Sequence, residues 1–139
     1  MALAAEIRAR WARSGSPTLD LLLARGRAAL AEGDARAAVG HLTALLDTAP
    51  GFVEGRFTRA EAFLALGRPG IALDDLARAL AVEPRHFPSW ALTGAILAEI
   101  GDLDGAREAL RRARALNPHD REIARALARI ERRIRGDAA

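Results

Sequence analysis

The chain has 139 residues, half of them apolar and 4% aromatic, with no cysteine and a formal charge of +3. That length supports one ordinary domain with a real core, and the lack of cysteine excludes disulfides, a thiol nucleophile and a cysteine metal site. No run approaches the ~18 apolar residues of a membrane span, and the opening MALAAEIR lacks the sustained apolar core of a leader, so a soluble chain of undetermined compartment, cytoplasm or periplasm, is expected.

The first predicted element is a helix over Ala2–Arg13 with Leu3, Ile7 and Trp11 on one side. Ser14-Gly15-Ser16-Pro17 breaks it, and Ser16 is suited to cap the helix that follows. Ala4 lies 34 residues before Ala38, which reads as a trace of an incomplete repeat.

From there a period of 34 governs the chain: Pro50, Pro84 and Pro118; Gly33, Gly67 and Gly101; Ala38, Ala72 and Ala106. A period of that length marks tandem helical hairpins. Each first helix is predicted to end at its glycine, which takes the left-handed conformation at little cost. Asp34 and Asp102 then suit the N-cap of the second helix. The middle hairpin has Arg68-Pro69-Gly70 instead, a poor cap before a proline well placed at the first helical position. Second helices are predicted at 35–48, 69–82 and 103–116, each stopped by its proline.

The packing positions repeat as well. Gly26, Ala60 and Gly94 form a column where only small side chains fit, facing Ala38, Ala72 and Ala106. Leu42, Leu76 and Leu110 follow one turn on, with Leu45, Ala79 and Ala113 completing the stripe. The last predicted helix, Asp120–Arg135, sets Ile123, Leu127, Ile130 and Ile134 against an arginine-rich face, the pattern of a cap. Residues 1–18 are thus assigned to an N-terminal helix and linker and 19–120 to three repeats (19–52, 53–86, 87–120). Residues 121–139 form a C-terminal capping helix and short tail.

These columns resemble the tetratricopeptide repeat family. Trp90-x2-Thr93-Gly94-x2-Leu97, Ala106-x3-Leu110 and Pro118 follow the family pattern with hydrophobic replacements. Leu22, Gly26, Ala29, Ala38, Leu42 and Pro50 do so in the first hairpin, and Ala60, Phe63, Ala72, Leu76 and Pro84 in the second. The resemblance covers residues 19–120, and the style of the chain is similar to small bacterial repeat proteins. It implies an all-α fold, a right-handed α-solenoid of three hairpins with an extra N-terminal helix and a C-terminal cap. Arg25, Arg56 and Arg59 depart from the pattern, Arg25 and Arg59 on a face expected to be buried. A buried arginine needs a partner, and Asp75 is expected to be that of Arg59.

In the resembled family the first helices line a concave face. Helical phase then names Asp20, Leu23, Arg27 and Leu30 in the first hairpin as groove residues. Glu54, Phe57, Thr58, Glu61 and Leu64 follow in the second, and Ala91, Leu92, Ala95 and Glu99 in the third. Phe57 and Leu23 are the apolar anchors expected to meet a partner, with Glu61, Glu99 and Arg27 fixing its register. Only Arg27 is basic among the positions a carboxylate clamp would use, and no asparagine accompanies it, which argues against such a clamp.

The function expected is a non-enzymatic protein-protein interaction module, an adaptor or assembly factor holding a peptide or helix of another protein. Self-association into a homo-oligomeric scaffold is the competing class. A third is a basic C-terminal face that meets nucleic acid or an anionic membrane. The ten arginines and five acids from Gly105 to Ala139 motivate it, but the interleaved Glu108, Glu122 and Glu131 and the lack of aromatics there favour a solvated cap. The three histidines stand apart without metal-ligand spacing, and no phosphate loop or Ser/His/Asp arrangement is present, so no cofactor, metal, small-molecule substrate or catalytic residue is expected.

Overall fold

A computed structural model describes residues 2–136. The tail after Gly136, assigned above to the C-terminal segment, lies outside the described residues. Those residues form α-helices in the order α1 (Ala2–Trp11), α2 (Pro17–Ala31), α3 (Ala35–Thr48), α4 (Val53–Ala65), α5 (Pro69–Val82), α6 (Phe87–Glu99), α7 (Leu103–Leu116) and α8 (Arg121–Gly136). The three second helices fall on the residues expected of them. Contacts divide the chain into two compact units, residues 2–84 and the stretch from Arg85 onward.

One device closes all three hairpins. Gly33, Gly67 and Gly101 have φ of 82°, 72° and 90°. In each case the next residue's N–H reaches back to a carbonyl five residues earlier: Asp34 to Ala29, Arg68 to Phe63 and Asp102 to Leu97, at 2.8, 2.9 and 2.9 Å. The glycine N–H bonds the carbonyl three residues back, which completes a Schellman motif. The residue after the glycine therefore ends one helix and starts the next. Asp34 and Asp102 cap with their side chains, bonding the N–H of Ala37 and Gly105. Arg68 makes no side-chain cap bond, and the middle helix begins on Pro69 alone.

In the 2–84 unit, α2 packs on α3, α3 on α4 and α4 on α5, while α2 and α4 also touch. The core here contains Leu23, Ala29, Ala38, Leu42, Leu45, Leu46 and Ala62. A Cβ placed on Gly26 would stand 2.8 Å from Leu42, a side chain with no exposed surface. The expected small and large columns are thus in van der Waals contact. In the other unit α7 packs on α6 and α8 on α7, over Ala106, Leu110, Leu127 and Ile130. Gly94 meets Leu110 there as Gly26 meets Leu42. Asp120 opens α8 by accepting from the N–H of Glu122 and Ile123 at 2.9 and 3.1 Å.

Three expectations need correction. The first helix ends at Trp11, because the chain turns through Gly15 at φ 81°. It does not lie along α2 as α3 lies along α4, so α1 is not the second half of a lost repeat. Arg25 is exposed, not buried: α3 carries His41 where α5 carries Asp75, and no carboxylate draws the guanidinium inward.

Candidate functional site

Helix α4 carries two charged constellations on opposite sides, both within the 2–84 unit. Positions 56, 59 and 63 fall on one side and 54, 57, 58 and 61 on the other, as a 3.6-residue period requires.

The first constellation joins helices. Asp75 of α5 is 2% exposed. It accepts Arg59 Nε at 2.9 Å and Nη2 at 2.8 Å, and Arg56 Nη1 at 3.1 Å. The expected Arg59–Asp75 pair is present and bidentate, with Arg56 as an additional donor. Arg59 also donates to Thr43 Oγ1 at 3.3 Å, and Arg56 Nε to the Pro50 carbonyl at 3.1 Å. One carboxylate thereby ties α4 to α5, α3 and the turn before it. Asp75 hydrogen bonding raises the Arg59 pKa further above its ordinary value against the opposing effect of burial. This cluster has little open surface and is structural.

The second constellation faces the side shared by α2 and α4. Glu54 has a side chain 1% exposed, yet it is charged-partnered twice. Arg27 Nη2 of α2 donates to Glu54 Oε1 at 2.7 Å, and Arg8 Nη2 of α1 donates to the same oxygen at 3.1 Å. These arginines are 43% and 45% exposed. Arg8 also lies over the Phe57 ring, 5.8 Å from its centroid, a cation–π distance. Thr58 turns its hydroxyl back to donate to the Glu54 carbonyl at 2.7 Å. Glu61 stands one turn further on, at the surface. Desolvation pushes its pKa up, Arg8 opposes this, Glu54 adds to it and Arg27 opposes it again. Glu61 keeps exposed area, so crowding by neighbouring protein atoms rather than full burial causes the shift. Glu54, Phe57 and Glu61 make an acid–aromatic–acid stripe beside Arg27.

The other expected groove residues are placed as follows. Both expected apolar anchors need correction: Leu23 is 3% exposed and part of the core, one turn before Gly26 on the face that meets Leu42, and Phe57 is 8% exposed with Arg8 over its ring; Thr58 is buried as well, at 1%. Leu30 and Leu64 are half-buried. Asp20 is engaged with the linker, accepting Ser14 N–H at 2.9 Å and the Ser14 hydroxyl at 2.7 Å. Those two bonds, backbone first, hold its pKa below the usual range. Ala91, Leu92, Ala95 and Glu99 belong to α6 of the other unit, the first two half-buried and the last two exposed. Sequence reasoning did not find Arg8, whose pairing across 46 positions depends on where α1 docks. Arg56 had a legible signal, its three-residue spacing from Arg59.

Elsewhere, His86 Nδ1 accepts the Ser89 N–H at 3.2 Å and stands 2.7 Å from its hydroxyl. Both residues are fully buried and form the start of α6. Arg112 stacks over Trp90 at 4.9 Å. No cluster of three or more His, Cys, Asp or Glu among the described residues is placed to hold a metal ion. No helix among them is long and apolar enough to cross a membrane.

Comparison with known proteins agrees with this architecture. The family profile described as Tetratricopeptide repeat matches residues 23–84, 57–121 and 96–139. A TPR repeat-containing protein of Rhizobium etli is 31% identical over 119 residues, which are 86% of this chain and 58% of that protein. The chain thus spans under two thirds of that relative's length. The Sgt2 TPR domain of Aspergillus fumigatus superposes with a TM-score of 0.84 at 26% identity, covering 88% of this chain and 83% of that one. The first TPR of Spaghetti, bound to an HSP90 peptide, gives 0.82 at 22% identity over 86% and 97% of the two chains. The Yersinia enterocolitica type III secretion chaperone SycD, in complex with a peptide of the translocator YopD, gives 0.76 at 17% identity over 84% and 94%. The shared fold class is the all-α helical-repeat solenoid, a protein-interaction fold. With three overlapping profile matches and the repeated Schellman closures beneath them, the chain belongs to the tetratricopeptide repeat family.

Proposed function

We propose that this protein is a non-enzymatic adaptor whose α2/α4 face receives a peptide or helix of another protein. The observation that carries the reading is the stripe Glu54–Phe57–Glu61 beside Arg27. It sets the exposed Glu61 of α4 and the half-open Arg27 of α2 next to Glu54 and Phe57, which are themselves buried. Fixed charges of both signs at the surface give a partner register. Solved relatives that hold HSP90 and YopD peptides lend support from the fold. Glu61, Leu64 and Leu30 extend the surface along the same face.

A photo-crosslinking side chain tests this at position 61, compared with position 77, an exposed site on α5. In the source cell, position 61 is expected to trap a distinct partner band and position 77 none. Trapping of the same partner at 77 and not at 61 would move the working surface to the second helices.

A further inference from the structure

The excess positive charge of this chain lies after Pro84. Residues 1–84 carry ten arginines and ten acids, whereas residues 85–139 carry eleven and eight. The acids interleaved there do not neutralise α8. Asp104 pairs with Arg107 at 3.2 Å and Glu108 with Arg112 at 3.0 Å, both within α7. Glu131 turns to Arg111 of α7 at 3.9 Å, and Asp120 is taken up by the N–H groups that open α8. Arg121, Arg125, Arg129, Arg132, Arg133 and Arg135 of α8 are all exposed. None of the six has an ion pair with a described residue.

Helical phase gathers these six on one side. They occupy an arc of about 160° around the α8 axis and roughly 21 Å along it. Ile123, Leu127 and Ile130 face the other way and are buried, the last two in the core with Ala106 and Leu110 of α7. Of the two glutamates of α8, Glu131 lies outside the arc and Glu122 inside it. Arg111 and Arg114 border the cleft between α7 and α8 beside Leu127 and Glu131, and extend the surface. A solvated cap needs only a polar face. This one sets arginine four residues from arginine at 121, 125, 129 and 133, which costs helix stability. Arg121 is also the first residue of α8, where the helix dipole disfavours a cation. Cations kept against both effects point to an anionic ligand.

We propose that α8 binds duplex DNA through its phosphates, lying in the major groove. Shape decides among the polyanions. A helix about 10–12 Å across fits a groove about 12 Å wide with phosphates along both walls, so cations spread over a wide arc all find partners. A flat lipid surface would meet a narrow strip of that arc, and the apolar side that an interfacial helix inserts is already buried on α7. Single strands are held by stacking on aromatic rings, and residues 103–136 contain no aromatic residue. The planar guanidinium fork suits phosphate oxygens. Phosphate contacts carry no sequence information, so the binding is indifferent to sequence. The proposal is independent of the α2/α4 reading.

The test measures fluorescence anisotropy of a labelled, mixed-sequence duplex of about two helical turns with the full chain, from roughly 50 to 200 mM salt. Six phosphate contacts predict that log K falls with log salt at a slope of about −5, a loss of about 10³-fold over that range. Arg125→Gln/Arg129→Gln/Arg132→Gln leaves the buried side of α8 intact, and glutamine matches arginine in helix propensity. It is expected to bring the slope to about −3 with an unchanged circular dichroism spectrum. Arg129→Gln alone should reduce the slope by about 1. The matched control Arg25→Gln/Arg36→Gln/Arg68→Gln removes the same charge from exposed positions of the 2–84 unit and should leave the slope as it was. No binding at the low-salt end, or an equal change of slope in the two triple variants, would overturn the proposal. So would a single strand of the same sequence binding as tightly as the duplex. Vesicles of phosphatidylserine and phosphatidylcholine, and polyglutamate, are expected not to bind. Either one binding in place of the duplex would overturn the proposal and move this face to a membrane or to an acidic protein.

Discussion

Asp75→Ala removes the carboxylate on which Arg56 and Arg59 converge. The loss comprises the Arg59 bonds at 2.9 and 2.8 Å and the Arg56 bond at 3.1 Å. Hydrogen bonds to charged groups are worth about 1.5–3 kcal/mol each, and orphaning a buried pair costs about 3–5 kcal/mol. The two arginines retain 11% and 18% exposure, so water recovers part of that loss, and about 3 kcal/mol is expected. For a chain of this length that corresponds to a melting temperature lower by roughly 10 °C. Urea unfolding followed by helical circular dichroism measures it. Arg59→Ala, losing the bidentate contact and the contact with Thr43, should cost more than Arg56→Ala. A loss under about 1 kcal/mol for Asp75→Ala, or Arg56→Ala exceeding Arg59→Ala, would refute the view that this carboxylate holds α4 to its neighbours.

Gly26→Ala is expected to destabilise by about 1–3 kcal/mol, since its Cβ would lie 2.8 Å from Leu42. Gly40→Ala, with nothing within 4 Å of the added Cβ in α3, should stabilise by roughly 0.5–1 kcal/mol; equal shifts in the two melting curves would contradict the packing. Ala72→Leu, at a fully buried site, is expected to cost about 1–3 kcal/mol by overpacking, read in the same assay. Glu61→Gln bears on pH. The folded-state pKa of Glu61 is raised, so its contribution to stability is full below the unfolded value and falls as pH rises through the folded one. The variant should therefore be slightly more stable than wild type at pH 7, with the difference vanishing at pH 3, and an advantage that grows on acidification would reverse the assignment. Asp20 titrates in the opposite sense, its lowered pKa making the Ser14 contact strong above the usual carboxylate range and lost as pH falls through the folded value. Exchange of the Ser14 amide against pH should show it.

The hairpins were legible because their determinants are local and repeated. A glycine that must adopt positive φ, an aspartate one step later and a proline seventeen residues past the glycine fix a helix pair without knowledge of its neighbours. The Arg59–Asp75 pair was legible for a related reason: Arg59 departs from the family pattern on a face expected to be buried, and Asp75 lies on the paired helix. Leu23 was misplaced because helical phase was counted from Leu22, whereas the Gly26–Leu42 contact sets the inward direction of α2. The Arg8–Glu54 pair had no sequence signal, because α1 lies outside the period and its docking is set by side-chain chemistry on α4. The candidate site was thus half legible: its helices were, the Arg8 contact was not.

Hydrogen exchange on the full chain with and without its crosslink-identified partner tests the central claim most directly. The account predicts slower exchange along 54–64 of α4 and around Arg27 of α2. Protection confined to α3, α5 or α8 would contradict it.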